Sequence, residues 1–168
     1  FVNPSTVSGE RFGFAVALTG NNNSIIGAPN VGNPDVGRAF QFDGTGTNTK
    51  TFENSVSTDD SEFGTAITVL NDGTIVVAAP EKDKSQQNDN AGQVRLFKSD
   101  GTFIRNIDSP SAFIPNTRFG SALANGNGNI LIGAPGYVGA IGRAYLYKPD
   151  GSQLKIFDNL STNSNAGD

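Results

Sequence analysis

Short apolar runs, broken every few residues by Gly, Asn, Asp or Pro, make up most of the chain, and no stretch keeps a helical period over a useful length. The run FGFAVAL, from Phe12 to Leu18, alternates: Gly13, Ala15 and Ala17 fall on one face of an extended chain and Phe12, Phe14 and Val16 on the other. One side of that predicted strand is sterically small, which lets a neighbouring backbone approach closely. A second run, SIIGAP from Ser24 to Pro29, is almost continuously apolar, as expected of a short strand buried on both faces. Pro29 has no N–H to donate and ends the pairing. The third run, GRAFQF from Gly37, leads into FDGT, whose Asp-Gly suits a tight hairpin needing positive φ. The fourth, TFEN from Thr51, mixes in polar residues and fits a solvent-facing edge strand.

The same four runs return twice more. Phe-Gly recurs at Phe63-Gly64 and Phe119-Gly120, giving successive spacings of 51 and 56 residues. The Pro-terminated run recurs as VVAAP to Pro80 and LIGAP to Pro135, and the third as GQVRLF from Gly92 and GRAYLY from Gly142. SDGT and PDGS then precede TFIRNI and QLKIF, while TGNNNS, LNDG and NGNGN join the first two runs of each unit. The units span approximately 11–61, 62–117 and 118–168, with 1–10 as an incomplete preceding strand and linker. Four antiparallel strands per unit of roughly 50 residues is the sequence form of a propeller blade. A sandwich of about twelve strands would have to produce three markers in one order by accident. The expected fold is therefore all-β: three four-stranded antiparallel blades, forming a partial propeller or half of a six-bladed ring.

Phe-Gly at the head of one strand and Gly-Ala-Pro at the end of the next resemble the FG-GAP repeats of integrin α-type propellers. The form RFGxAxA, IGAP, GRAxxY is especially similar to the bacterial secreted and surface subgroup, over Arg11 to about Phe157. The middle unit departs from it, with Ala78-Ala79-Pro80 in place of Gly-Ala-Pro. The resemblance implies an extracellular or cell-surface, non-enzymatic module for adhesion, ligand binding or structural assembly. It places a protein or glycan ligand on the rim formed by the loops from second to third strand and from blade to blade. Many repeats of this kind hold calcium in an Asp-x-Asp-x-Asp-Gly loop between the first two strands. Here those turns offer one carboxylate, Asp72, where calcium takes six to eight oxygens. No calcium site is carried over, and no cofactor is expected.

Composition narrows the chemistry further. The chain has 168 residues, 36% of them hydrophobic, and no apolar run of the length that crosses a bilayer as a helix, so membrane insertion is not expected. It contains neither Cys nor His, which removes thiol chemistry, His-based triads and zinc sites of the usual kind. A net charge of −4, with twelve Lys and Arg scattered singly, argues against nucleic acid as a partner. Only 17% of residues are charged, so the surface relies on neutral polar groups, a composition common on secreted bacterial proteins.

Candidate binding residues lie in the loops that do not repeat, NVGNPDV with Asp35, EKDKSQQNDNA, GYVGA, and the linkers STDDSE and SPSAFIPNTR. The most loaded is 81–90, carrying Lys82, Asp83, Lys84, Asn88 and Asp89; it suits a polar ligand, a glycan or a cation, or is simply a solvated loop of mixed charge. Asp59 and Asp60, with Glu62, are acids close enough in sequence to supply a carboxylate pair of the kind used in glycoside hydrolysis, yet turn residues read the same way. Tyr137, set among glycines, could stack on a sugar face or pack on its own blade. A carbohydrate-binding, lectin-like propeller and an accessory domain of a secreted enzyme are thus the alternative functions. Arg11 and Arg118 precede Phe-Gly, and Arg38 and Arg143 follow Gly, so their recurrence predicts architectural bonds to the loops of the adjacent blade.

Three blades do not close a ring of four to eight. Each open end would expose large apolar side chains at roughly 1.5 to 3 kcal/mol apiece, against a total stability of about 5 to 15 kcal/mol. FVNPST at Phe1, FENSVST at Phe52 and FDNLST at Phe157 are copies of one piece of the repeat. A segment of a longer array has that form, with further blades covering its ends. Two chains closing a six-bladed ring is the other arrangement, in which two Phe-x-Asn segments compete for one edge position.

Overall fold

The computed structural model describes residues 2–5, 8–20, 22–32, 36–54, 60–83, 89–110 and 114–159. They form an all-β structure of three four-stranded antiparallel sheets, each strand paired with its sequence neighbour. The first sheet contains β1 (Val16–Leu18), β2 (Ser24–Ala28), β3 (Arg38–Phe42) and β4 (Asn48–Glu53). The second contains β5 (Ile67–Val69), β6 (Ile75–Ala79), β7 (Gln93–Phe97) and β8 (Phe103–Asp108). The third contains β9 (Ala122–Gly126), β10 (Asn129–Ala134), β11 (Arg143–Tyr147) and β12 (Gln153–Asp158). The one helix among the described residues is a single turn, α1 (Tyr137–Ala140), in which Val138 and Gly139 hold left-handed angles. No helix among the described residues is long and apolar enough to cross a membrane.

Phe-Gly does not open a strand as the alternation predicts. Gly13, Gly64 and Gly120 have φ of 91°, 100° and 101°, outside the extended region, so the chain turns there and β1, β5 and β9 begin later. Their amides donate to Gly27, Ala78 and Gly133 carbonyls at 3.0, 2.9 and 2.9 Å, which anchors each corner to the second strand of its own sheet. The turn after the third strand also differs from expectation in the first unit. There the left-handed residue is Gly46, φ 86°, and not Gly44 of FDGT; it corresponds to Gly101 and Gly151, φ 88° and 84°. Asp43 makes the longer loop possible, because its Oδ1 accepts the amides of Thr45 and Thr47 at 2.9 and 3.0 Å. In all three sheets the third and fourth strands slip register at one place, Gln41/Phe42, Leu96/Phe97 and Leu146/Tyr147, just before the turn.

The sheets follow one another in chain order, with β5 lying against β1 on one side and β9 on the other. The middle sheet is therefore covered on both faces. Ile75, Val77, Ala79 and Phe97 pack with Ile25, Ala39 and Phe52 of the first sheet, and Val76, Ala78, Val94 and Leu96 with Ile130, Ile132 and Tyr145 of the third. Phe63 and Phe119 sit wholly buried in these two interfaces, edge-on to Phe97 and to Tyr145. Each burial contributes about 1.5 to 3 kcal/mol. Close approach is built from backbone. A Cβ at Gly27 would lie 2.1 Å from the Gly64 carbonyl oxygen, and one at Gly37 2.2 Å from that of Phe63. At the second interface Ala78 replaces the glycine, and the backbone of Gly120 accommodates its methyl, 3.0 Å from where a Cβ would stand.

The fourth strands are the exposed edges that their polar content predicts, with most of β4, β8 and β12 open to water. The second strands follow expectation in two sheets only: β2 is mostly buried and β6 wholly so, whereas β10 alternates and leaves Leu131 exposed.

Candidate functional site

Two rims border the sheets. One carries the turns from first to second and third to fourth strand, and the other carries the loops from second to third strand together with the segments that lead into Phe-Gly. On this second rim the residue before each Phe-Gly is left-handed without being glycine: Arg11, Glu62 and Arg118 have φ of 57°, 49° and 52°. Arg11 and Arg118 are exposed at these corners and Glu62 is half-buried, so three charged groups stand on the rim at equivalent stations.

The groups act on one another. Arg118 is ion-paired with Glu81 in the β6–β7 loop, and the Arg11 guanidinium donates to Asn30 Oδ1 at 3.3 Å while lying over the Phe14 ring, 4.1 Å from its centre. Burial pushes the Glu62 carboxyl above its usual range and the negative charge of Glu81 adds to this, while Arg11 and Arg118 pull it back. Residues 11, 62, 81 and 118 thus form one electrostatic group assembled from all three units. Reading the residues singly misses it. The signal was their common position before Phe-Gly, which a search for repeats exposes for Arg but passes over where the residue is Glu.

Below the loops each sheet repeats a second feature. The register pairs Arg38 with Glu53, Gln93 with Asp108 and Arg143 with Asp158 across the ends of the third and fourth strands. Arg38 Nε bonds Glu53 Oε1 at 2.8 Å, Gln93 Nε2 donates to Asp108 Oδ1 at 2.6 Å, and Arg143 is ion-paired with Asp158. Arg38 and Arg143 therefore bond within their own sheets, Arg11 bonds Asn30 of its own unit, and Arg118 reaches a loop of the neighbouring unit as expected. Beside these pairs lie shallow clefts, about 220 Å3 along Val31, Gly37, Arg38 and Asn54 and about 260 Å3 along Lys82, Asp83, Gly92 and Asp108.

Of the residues singled out in the sequence, Lys82 and Asp83 line the second cleft. Asp83 Oδ1 accepts the Asn90 amide at 3.1 Å, and Asp89 Oδ1 accepts that of Ala91 at 3.3 Å, so both carboxylates brace the loop. Tyr137 is half-buried with the Arg143 guanidinium 3.8 Å above its ring, so one ring face is taken by an arginine of its own unit. Asp60 lies close enough to Glu62 to raise its carboxyl slightly. Asp35, Asp59, Lys84 and Asn88 lie outside the described residues. No group of three or more His, Cys, Asp or Glu placed to hold a metal occurs among the described residues. The turn rim, weighed from sequence only for calcium and set aside, carries a wider cleft of about 420 Å3 lined by Gln41, Asp72 and Asp100; buried Gln41 Oε1 has no hydrogen-bond partner among the described residues.

No family model matches the chain, and no curated protein matches it. Among solved structures it is similar to a protein of unknown function from Bacteroides caccae, with a TM-score of 0.56 and 13% identity, over 90% of this chain and 47% of that one. The likeness is one of fold, and this chain spans about half the length of that protein.

Proposed function

We propose that the three sheets are consecutive propeller blades of the FG-GAP kind and that the chain is a non-enzymatic binding module of an extracellular or cell-surface protein, contacting a protein partner through its long-loop rim. The observation that carries this reading is the assembly of Arg11, Glu62, Glu81 and Arg118 from three separate units onto one rim. Buried Phe and Ala positions of the packed sheets lie beneath it, and a packed scaffold presenting charged, non-repeating loops is a usual form of a recognition surface. Mixed charge favours specificity for a partner of complementary pattern.

The reading is tested by probing an array of extracellular proteins and glycans with the chain and with an Arg11→Ala/Arg118→Ala variant, both checked for fold by circular dichroism. Protein targets that lose at least about tenfold in affinity with the variant support it. Targets bound equally well by both, or binding confined to glycans, would overturn it.

A further inference from the structure

We infer that the free face of the third sheet is a docking surface for the first sheet of a second copy of this chain, so that two chains cover each other's open ends head to tail. This goes beyond the rim reading and does not rest on it.

The two interfaces inside the chain show what such a face receives. Aligned on Pro29, Pro80 and Pro135, Leu131 corresponds to Ile25 and Val76, both 0% exposed, yet it is 39% exposed. Phe157, paired with Ala144 as Phe52 is with Ala39 and Ile107 with Val94, is 43% exposed where those two are 2% and 4%. The backbone cradle is equally vacant. A Cβ on Gly37 or Gly92 would lie 2.2 Å from the carbonyl oxygen of Phe63 or Phe119, whereas one on Gly142 meets nothing among the described residues nearer than Pro135 of its own loop, at 3.5 Å. Gly142 keeps the left-handed backbone of the other two, φ 78°, with no Phe-Gly corner against it.

The matching element is on the same chain. Phe12-Gly13 is the third copy of that corner; Phe12 packs on Phe40 and Phe42 of its own sheet, but among the described residues no atom lies within 4 Å of a Cβ placed on Gly13, where Gly64 would meet the Arg38 carbonyl oxygen at 2.4 Å. Val16 is 68% exposed, while its counterpart Ile67, which packs over Gly27, is 9% exposed. A hydrogen-bond station is also ready. The Val36 carbonyl accepts both the Phe63 amide, at 3.0 Å, and the Ser61 hydroxyl, at 2.8 Å. Its counterpart, the Ile141 carbonyl, accepts Asn159 Nδ2 at 3.1 Å, and its second lone pair suits the Phe12 amide of an incoming chain. Asn3 donates to Glu10 at 2.8 Å as Asn54 does to Ser61, so Asn3 of one chain and Asn159 of the other claim the same station. On docking, residues 2–5 of the incoming chain give way to the Asn159 segment. Two such contacts, related by a two-fold axis, close six sheets into a ring, within the four to eight that propellers use.

Native mass spectrometry and sedimentation of the 168-residue chain test this. The expected species has twice the 17.5 kDa chain mass. Leu131→Asp and Val16→Asp place a charge in the two halves of the contact; both sites are exposed in the single chain, so circular dichroism should show unchanged folding. Each variant alone should dissociate at least about a hundredfold more readily. Mixed one to one they should pair, because the head of the Leu131→Asp chain and the tail of the Val16→Asp chain are both intact. A wild-type chain that stays monomeric up to about 100 µM, variants that still pair alone, a mixture that does not pair, or assemblies that grow past two chains would each overturn the inference.

Discussion

At the scale of single residues, the glycines divide into those that only shape the backbone and those that also make room for it. Gly92 does both: φ is 85° and a Cβ would meet the Phe119 backbone at 2.2 Å. Gly142 has the same conformation, φ 78°, with only an ordinary contact beside it, the Pro135 carbonyl oxygen at 3.5 Å from a Cβ. Gly92→Ala should lower stability by about 2 to 4 kcal/mol and Gly142→Ala by about 1 kcal/mol, the difference being the steric part. Urea unfolding at low protein concentration measures both; equal losses would show that conformation alone matters. Tyr147 offers a second residue-level test. Burial first, and then the neighbouring Tyr145, pushes its phenol up to about 12, and its hydroxyl donates to Gln153 Oε1 at 3.1 Å. The raised value means that the folded state keeps the proton longer than the unfolded one, so this contribution is intact below about pH 10 and lost as pH rises toward 12. The part of the phenolate absorbance that Tyr147→Phe removes should therefore develop only as pH nears about 12, together with unfolding.

At the scale of elements, the hairpin turns carry their own pH dependence. Hydrogen bonds from the side chain and amide of the residue two positions on, Thr45, Thr102 and Ser152, hold Asp43, Asp100 and Asp150 below the ordinary 3.8, with further backbone amides assisting at Asp43. A carboxyl lowered in the folded state stabilises it above the unfolded value and loses that contribution as pH falls below about 4. Glu62, raised by burial, works in the opposite sense and costs stability as it ionises. The thermal midpoint should fall between about pH 4 and pH 2, and fall less steeply in an Asp43→Asn/Asp100→Asn/Asp150→Asn variant. An unchanged slope would mean that other carboxyls dominate.

The elements also show what could be read from sequence. Twelve strands in three groups of four were legible because Pro and Asp-Gly punctuate each unit and because β2 is almost continuously and β6 wholly apolar. Strand starts were not, since period-two alternation continues through Gly13 although its positive φ ends the extended chain. The first hairpin escaped because two glycines compete for one left-handed site, and Asp43 decides for Gly46 through bonds that no local pattern announces. The rim cluster was half legible: recurrence marked Arg11 and Arg118, but their partners Glu62 and Glu81 are brought in by the stacking of units, which is long-range.

At the scale of the whole molecule, stability is shared along a row, with a middle sheet gripped on two faces and an outer sheet gripped on one. Covering the third sheet would add an interface like the two already present, so chain concentration should enter the thermal midpoint if copies pair. The unit that repeats and the surface that distinguishes are held by different atoms. The corner before each Phe-Gly demands a left-handed backbone and brings the side chain to the rim, exposed at Arg11 and Arg118 and half-buried at Glu62, so the three sit on a common mount. Asn, the residue most at ease in that conformation, or either sign of charge can stand there without disturbing the sheets beneath, which makes the rim three interchangeable sockets on an invariant frame.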